Sequence, residues 1–360
     1  MKRIFLLLAA AIVGGIAATE ADACTGIYLT AQDGSRVAAR TVEWAATPMQ
    51  CGYVVSPRGH VHQSFTPTGE NGMRYIGVYG YVGIYTEYEP FIVEGVNEAG
   101  LAAGLFFFPN YGEYGPYDES NNEKTLCDMQ FVSWVLSQFS TIDQVKDALS
   151  KIDLVTLNSK IGAVHWRIIE PNGRMVVLEV VGGVPHFYEN KLGVLTNAPG
   201  FDWHMTNLNN YINLEPGSVS DKTIRPGITL RPLGHGSGML GTPGDFTSPS
   251  RFVRAAFFQT TAPTLETGHE TVIQAFHILN NFDIPIGSQH EKSDIPKGLP
   301  SATQFTSATD QTALKLYYRT AWNSNIRCID LMNINFHKVR YQSHPLDRSQ
   351  EEPVEMIKVN

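Results

Sequence analysis

The sequence predicts an α+β fold: antiparallel sheets covered by helices, in one layered domain. Three observations lead there. Period-two runs joined by tight Gly turns recur along the chain. Capped helical stretches fall between the strand groups. The order is strands, helices, strands, helices, strands, with no internal repeat and no linker. Of 360 residues, 43% are hydrophobic and only 17% are charged, which supports a sizeable core and argues against disorder.

Residues 1–23 read as a secretory signal peptide that is removed. Lys2 and Arg3 give the positive start, Ile4 to Ile16 the apolar run, and Ala21-x-Ala23 a small-residue cleavage site. The apolar run is short for a membrane span, and polar Thr19 and Glu20 follow it. A lipid-attachment site at Cys24 is the rival reading. Asp22 just before the cysteine, and the lack of a Leu three positions ahead, argue against it. The expectation is an exported protein, periplasmic or secreted, with residues 24–360 as a single catalytic domain.

Cys24 to Thr30 reads as a strand, Asp33-Gly34 as a tight turn, and Arg36 to Trp44 as the return strand. An ideal two-residue turn sets Glu43 opposite Cys24 and sends Arg40 to the other face. Tyr75 to Tyr85 alternates strictly, with Ile76, Val78, Val82 and Ile84 on one face and Tyr75, Tyr79, Tyr81 and Tyr85 on the other. A hairpin follows over Phe91 to Pro109, turning at Asn97-Glu98-Ala99-Gly100.

Leu126 to Phe139 has helical spacing, and Thr141 with Gln144 forms a capping box for a helix to about Lys151. Ala163 to Ile169 and Met175 to Val181 form a hairpin across Asn172-Gly173; His186 to Tyr188 and Leu192 to Thr196 continue the strands. Residues 200–245 are rich in Gly, Asn and Pro and read as a long excursion. Helices are expected at Pro249 to Gln259 and Glu270 to Asn280, and two last strands near Ala313 to Thr320 and Ile326 to Asn333.

The net charge of -8 leaves no electrostatic footprint for nucleic acid or an anionic membrane. Cys24, Cys51, Cys127 and Cys328 are too sparse for a disulfide framework, and no CxxC or zinc spacing occurs. Buried structural thiols are expected for the last three. His60 and His62 share a strand face without a third metal ligand. His235-Gly-Ser237 lacks the flanking glycines of a serine elbow, and Gly234 to Gly244 lacks the Lys-Ser/Thr of a phosphate loop. No metal and no cofactor are expected.

If the leader is cut after Ala23, Cys24 carries both a thiol and an α-amine. A thiol attacks as thiolate, and an α-amine titrates near ~8, so it can take the thiol proton and return it to a leaving amine. Cys24-Thr25-Gly26 at that place resembles the choloylglycine hydrolase family, the N-terminal-nucleophile amidases that include bile salt hydrolases and penicillin V acylases. The resemblance continues, in family order, through several blocks. They are Ala39-Arg40-Thr41-Val42-Glu43-Trp44, Asn97-Glu98-x-Gly100-Leu101 and Leu195-Thr196-Asn197-x-Pro199. Phe201-Asp202-x-His204-Met205-x-Asn207-Leu208 and Gly241-x-Pro243-Gly244-Asp245-Phe246-x-Ser248-Pro249-Ser250-Arg251-Phe252 complete the set.

The resemblance implies a four-layer αββα sandwich that hydrolyses a linear amide through a thioester. It implies Cys24 as nucleophile and Arg40 as an arginine close to the thiol. Glu43 stands where the family has an aspartate that orients the amine. Asn197 matches an oxyanion donor, and Arg251 a second arginine supporting the charge that develops. Phe107 falls where bile salt hydrolases often carry a second Asn, so a backbone N–H must stand in as donor.

Tyr79, Tyr81, Phe106, Phe107 and Phe108 are expected to wall a pocket for a flat apolar acyl group. The substrate reading is a glycine- or taurine-conjugated bile salt. Alternatives are penicillin V, an acyl-homoserine lactone, or a secreted binding protein without chemistry. A homo-oligomer, a tetramer by the resemblance, is expected.

Overall fold

The computed structural model describes residues 22–157, 163–290, 295 and 297–359. The leader reading for residues 1–21 lies outside them. Strand β1 (Asp22–Thr30) and strand β2 (Arg36–Trp44) form the predicted hairpin, with one change of register. Ala31 N–H donates to Ser35 O at 2.9 Å, so the loop is three residues long, with Gly34 at φ +86°. Cys24 therefore lies opposite Val42, and Ala23 opposite Glu43. The expectation of Glu43 facing Cys24 is wrong by one residue, and the slip moves every side chain to the other face. Arg40, opposite Gly26, now shares a face with Cys24.

β3 (Cys51–Ser56) follows, then β4 (Val61–Gln63). The alternating run 75–85 does not form one strand. β5 (Arg74–Ile76) pairs with β4 in a small ribbon, whereas β6 (Tyr81–Thr86) enters a large sheet. At the break, Val78 and Tyr79 N–H groups donate to Ser137 O, and the Phe336 ring fills the space a side chain on Gly80 would need.

β7 (Ile92–Asn97) and β8 (Ala102–Phe107) form the expected hairpin, with Gly100 at φ +84°. β9 (Thr125–Cys127) takes the start of the run predicted as helix, leaving α1 as Phe131–Gln138. α2 (Ile142–Leu149) begins at Thr141 with the capping box formed. β10 (Asp153–Val155) pairs with β9, and β11 (Val164–Ile169), β12 (Met175–Val181) and β13 (Val184–Glu189) form a meander. Leu192 to Thr196 is not a strand; Leu195 makes a single bridge to Gly26.

The excursion carries α3 (Phe201–Asn207) and an exposed ribbon of β14 (Lys222–Arg225) and β15 (Ile228–Leu230). α4 (Ser248–Thr261) and α5 (Gly268–Leu279) match the predicted helices. β16 (Thr303–Asp310) was not predicted, because Thr-Gln-Phe-Thr-Ser-Ala-Thr-Asp is too polar to read as a strand. It is nonetheless buried along its whole length, between β2 and β17 (Lys315–Thr320). β18 (Asn323–Asp330) and β19 (Gln342–Pro345) complete the chain.

One sheet has the order β1-β2-β16-β17-β18, and the other β13-β12-β11-β8-β7-β6-β3-β19. α4 and α5 cover the first sheet and α1 the second, which gives the four-layer αββα sandwich. Val82, Val96, Phe131, Trp166 and Ile168 belong to the main core and are fully buried. Each such side chain contributes about 1.5–3 kcal/mol by leaving water.

No helix of the described residues is long and apolar enough to cross a membrane. Cys51, Cys127 and Cys328 are not disulfide-bonded. Cys127 is buried as expected, but Cys328 is exposed on the edge strand β18.

Candidate active site

Cys24 sits on the face of β1 that looks across to the second sheet, 7% exposed. Two residues on, Gly26 lets the sheets close up. A Cβ there would stand 2.9 Å from both Arg167 Nη1 and Phe106 Cζ. Gly26 N–H also donates to Leu195 O at 2.7 Å, and Leu195 N–H returns a bond to Gly26 O. That bridge lays residues 195–197 along the edge of β1 and delivers Asn197 to Cys24.

Every polar group of Asn197 is engaged. Its Oδ1 accepts from Cys24 N and from Arg251 Nη2, both at 2.8 Å, while Nδ2 donates to Phe107 O at 2.8 Å. Its backbone N–H donates to Ser248 Oγ at 2.9 Å, and its carbonyl accepts from His204 Nε2 at 2.9 Å. An amide nitrogen carries two hydrogens. One is used on Phe107 O, and the second has no partner among the described residues.

Ser248 and Arg251 are three apart in the first turn of α4, so both face the site. Arg251 Nη1 donates to Cys24 O and to Thr25 Oγ1, and Nε to Phe246 O at 2.8 Å. Burial pulls this guanidinium below its ordinary value, and the neighbouring Glu43 and Cys24 push it back up.

Arg40 reaches across to the second sheet. It donates to Val93 O at 3.0 Å and to Leu105 O, lies 4.0 Å over the Phe106 ring, and stands 3.6 Å from Glu94 Oε2. Glu94 also pairs with Arg167 at 3.2 Å, and Arg167 donates to Ile27 O and Ala39 O. Two buried cations thus share one carboxylate between the sheets. Breaking such a pair strands a charge away from water.

Glu43 projects from the opposite face of β2, 3% exposed. Thr303 Oγ1 donates to its Oε1 at 3.4 Å, and Oε2 has no hydrogen-bond partner among the described residues. Burial pushes its carboxyl up to about 8, against the opposing pull of Arg251, the Thr41 hydroxyl and Arg40.

The expected aromatic wall does not exist as one surface. Tyr81 lies beside Asn97, at the turn end of β7–β8. Phe107 lies at the far end of β8, about 16 Å away at ~3.3 Å per residue. Tyr81 is 2% exposed, and its ring lies near His62; Tyr79 is half-buried at the break before β6. Phe106 is fully buried between Arg40 and Arg167, and Phe108 is stacked on His165. Phe107 alone among these five is both partly exposed and bonded, through its carbonyl, to Asn197. Alternation on the strand made the wall look continuous, but the break at Gly77 to Gly80 and the hairpin geometry separate its halves.

The structure brings Cys24, Asn197 and Arg251 into direct contact and sets Arg40 and Glu43 on either side of the hairpin. Sequence reasoning missed Glu94, Arg167, His165, Glu179 and Ser248 as parts of this centre. Buried charge inside otherwise apolar strands, as in Trp166-Arg167-Ile168, was the available signal. His60 and His62 pack edge to face, and no group of three or more metal-ligating side chains occurs among the described residues.

A family model described as linear amide C–N hydrolases, choloylglycine hydrolase family, matches residues 24–348. The chain belongs to that family. A bile salt hydrolase/transferase of Clostridium perfringens is 33% identical over 319 residues, covering 87% of this chain and 93% of that protein. A protein of the same description from Lactiplantibacillus plantarum is 32% identical over 274 residues, covering 74% and 82%.

Among solved structures, a conjugated bile acid hydrolase of Clostridium perfringens is similar at TM-score 0.79 and 27% identity. It was solved with alanine in place of the cysteine at its second residue, and the match covers 93% of this chain and all of that one. A penicillin V acylase of Agrobacterium tumefaciens shares the fold at TM-score 0.71 and 22% identity, covering 90% and 91%. This choloylglycine hydrolase family member is therefore an N-terminal-nucleophile cysteine hydrolase of linear amides on an αββα sandwich.

Proposed function

We propose that the protein deconjugates bile salts, hydrolysing the amide that joins a steroid acyl group to glycine or taurine. The names of its relatives support the substrate. One observation supports the chemistry: the Asn197 side chain holds Cys24 N and Arg251 together while keeping one N–H unspent. In this reading residues 1–23 are removed during export to the periplasm or the medium, and Cys24 N becomes an amine. The amine then gains Glu43 as its counter-charge, whose Oε2 has no hydrogen-bond partner among the described residues.

The amine takes the thiol proton, and the thiolate attacks the amide carbon. The second Asn197 N–H and a backbone N–H receive the oxyanion. Arg251, bonded to Cys24 O and Asn197, holds both reacting partners rigid and adds positive charge. The ammonium proton passes to the leaving nitrogen as the C–N bond breaks, leaving a thioester. Water then gives a proton to the amine and attacks the thioester, which releases the acid and restores the thiol. Arg40 supplies a second fixed cation on the thiol's own face of the hairpin. The assembly in this reading is a homo-oligomer, a tetramer.

Release of glycine from glycocholate, taurine from taurocholate and phenoxyacetate from penicillin V should be measured side by side. The expected result is bile salt turnover above penicillin V turnover, and its loss in Cys24→Ala and Cys24→Ser. Turnover of penicillin V alone would replace the substrate reading; turnover by Cys24→Ala would remove the mechanism.

A further inference from the structure

His165 on β11 and Glu179 on β12 sit one residue beyond the last ladder pair, Trp166 opposite Leu178, and both are essentially fully buried. His165 Nδ1 lies 3.2 Å from Glu179 Oε1, and Nε2 lies 3.0 Å from Thr196 O. Glu179 Oε1 also accepts from Phe201 N–H at 2.9 Å. The pair thus grips both ends of the segment 196–201, the stretch that carries Asn197.

The hydrogen count is informative. Thr196 O can only accept, so Nε2 must carry a hydrogen. A neutral imidazole has one N–H, which would leave Nδ1 facing a carboxylate with no hydrogen between them. The two side chains therefore hold two protons together, one on Nε2 and one between Nδ1 and Oε1. Phe108 lies flat against the imidazole, centroids 4.5 Å apart and planes 7° from parallel, and fixes the plane of the ring. His204 on α3 also interacts electrostatically with His165. Burial first, and His165 among other neighbours, pull His204 down to about 4, so it stays neutral and adds no competing charge.

We infer that His165 and Glu179 are positioning residues: a proton-sharing clamp that aims the Asn197 amide at the reacting carbonyl. This rests on the reading of Asn197 as oxyanion donor. The clamp's bonds run to Thr196 O and Phe201 N–H, so it acts through the segment it grips. A misplacement of ~1 Å in such a donor costs up to about a hundredfold in rate.

Glu179→Gln keeps the shape and the acceptor for Phe201 N–H but removes the charge that holds the second proton. Its kcat for glycocholate should fall about tenfold to a hundredfold. KM should stay within about threefold and the rate of Cys24 alkylation by iodoacetamide should stay unchanged. In an Asn197→Ala background the same change should cost less than about twofold, since the residue it acts through is gone. A tenfold further loss there would overturn the clamp, as would an unchanged kcat in Glu179→Gln alone.

Nitrogen NMR of His165 in the unmutated enzyme gives a test that needs no variant to fold. Nε2 should carry a hydrogen and Nδ1 should show a hydrogen bond through a proton shared with Glu179; a bare Nε2, or an Nδ1 with no such proton, would overturn the proposal. Full activity in Asn197→Ala would instead show that the Asn197 assignment had failed, taking the clamp's catalytic role with it whatever the NMR result.

Discussion

Asn197→Asp separates the two jobs assigned to one side chain. Aspartate has nearly the same shape and keeps an oxygen where Oδ1 accepts from Cys24 N and Arg251 Nη2, both at 2.8 Å. It loses both hydrogens of Nδ2: the one given to Phe107 O at 2.8 Å and the one proposed to receive the oxyanion. Loss of an oxyanion donor lowers kcat by about 10²–10³, or roughly 2.7–4 kcal/mol of transition-state stabilisation.

The fold should lose less. An oxygen now faces the Phe107 carbonyl, at a cost of about 1–3 kcal/mol, while a new carboxylate beside Arg251 offsets part of that. Steady-state glycine release gives the first quantity, and urea denaturation the second. A kcat within about threefold of the unmutated enzyme would refute the donor role. A stability loss as large as the activity loss would reduce Asn197 to a structural bond.

Two further outcomes are expected. While Ala23 remains attached, Glu43 is held protonated with its carboxyl at about 8, so the folded chain binds a proton that the unfolded chain releases above its ordinary value of 4.5. Stability should therefore fall as pH rises through that window, by roughly 3 kcal/mol between pH 5 and 8, and level off above it. Urea midpoints of a Cys24→Ala chain starting at Asp22 should show this slope and Glu43→Gln should flatten it; a flat profile in both would count against a buried, protonated Glu43. Glu94→Gln leaves Arg40 and Arg167 without their shared carboxylate and should cost about 3–5 kcal/mol in urea denaturation. A loss below ~1 kcal/mol would mean that water reaches the pair.

The parts of the fold legible from the residues are those governed by local chemistry. Thr141 with Gln144 predicted a capping box that forms, and Asn172-Gly173 and Asn97 to Gly100 predicted turns whose glycines have φ above +80°. The site was legible where motif and chemistry coincide: Cys24, Asn197 and Arg251 are in contact although 173 and 54 residues separate them. Strand β16 was illegible because its Thr and Ser side chains carry no hydrophobic pattern. Its burial comes from neighbours on both sides, β2 and β17, which no local reading supplies. The expected aromatic wall failed for the reverse reason: period two over 75–85 was real, but glycines broke the run.

By itself the amino-acid order determined the layered class, most of the hairpins, the capped start of α2 and the cysteine proposed to attack. These depend on spacing along the chain and on the chemistry of single residues. Only the tertiary structure decided which face each candidate site residue occupies. One extra residue in the Gln32 to Gly34 loop puts Arg40 on the thiol's face and Glu43 on the other. Only the folded chain, too, could show Glu94 shared by two arginines, or His165 and Glu179 gripping the segment that carries Asn197. Those contacts join residues remote in sequence, and their energies arise only when two sheets close over charge and exclude water.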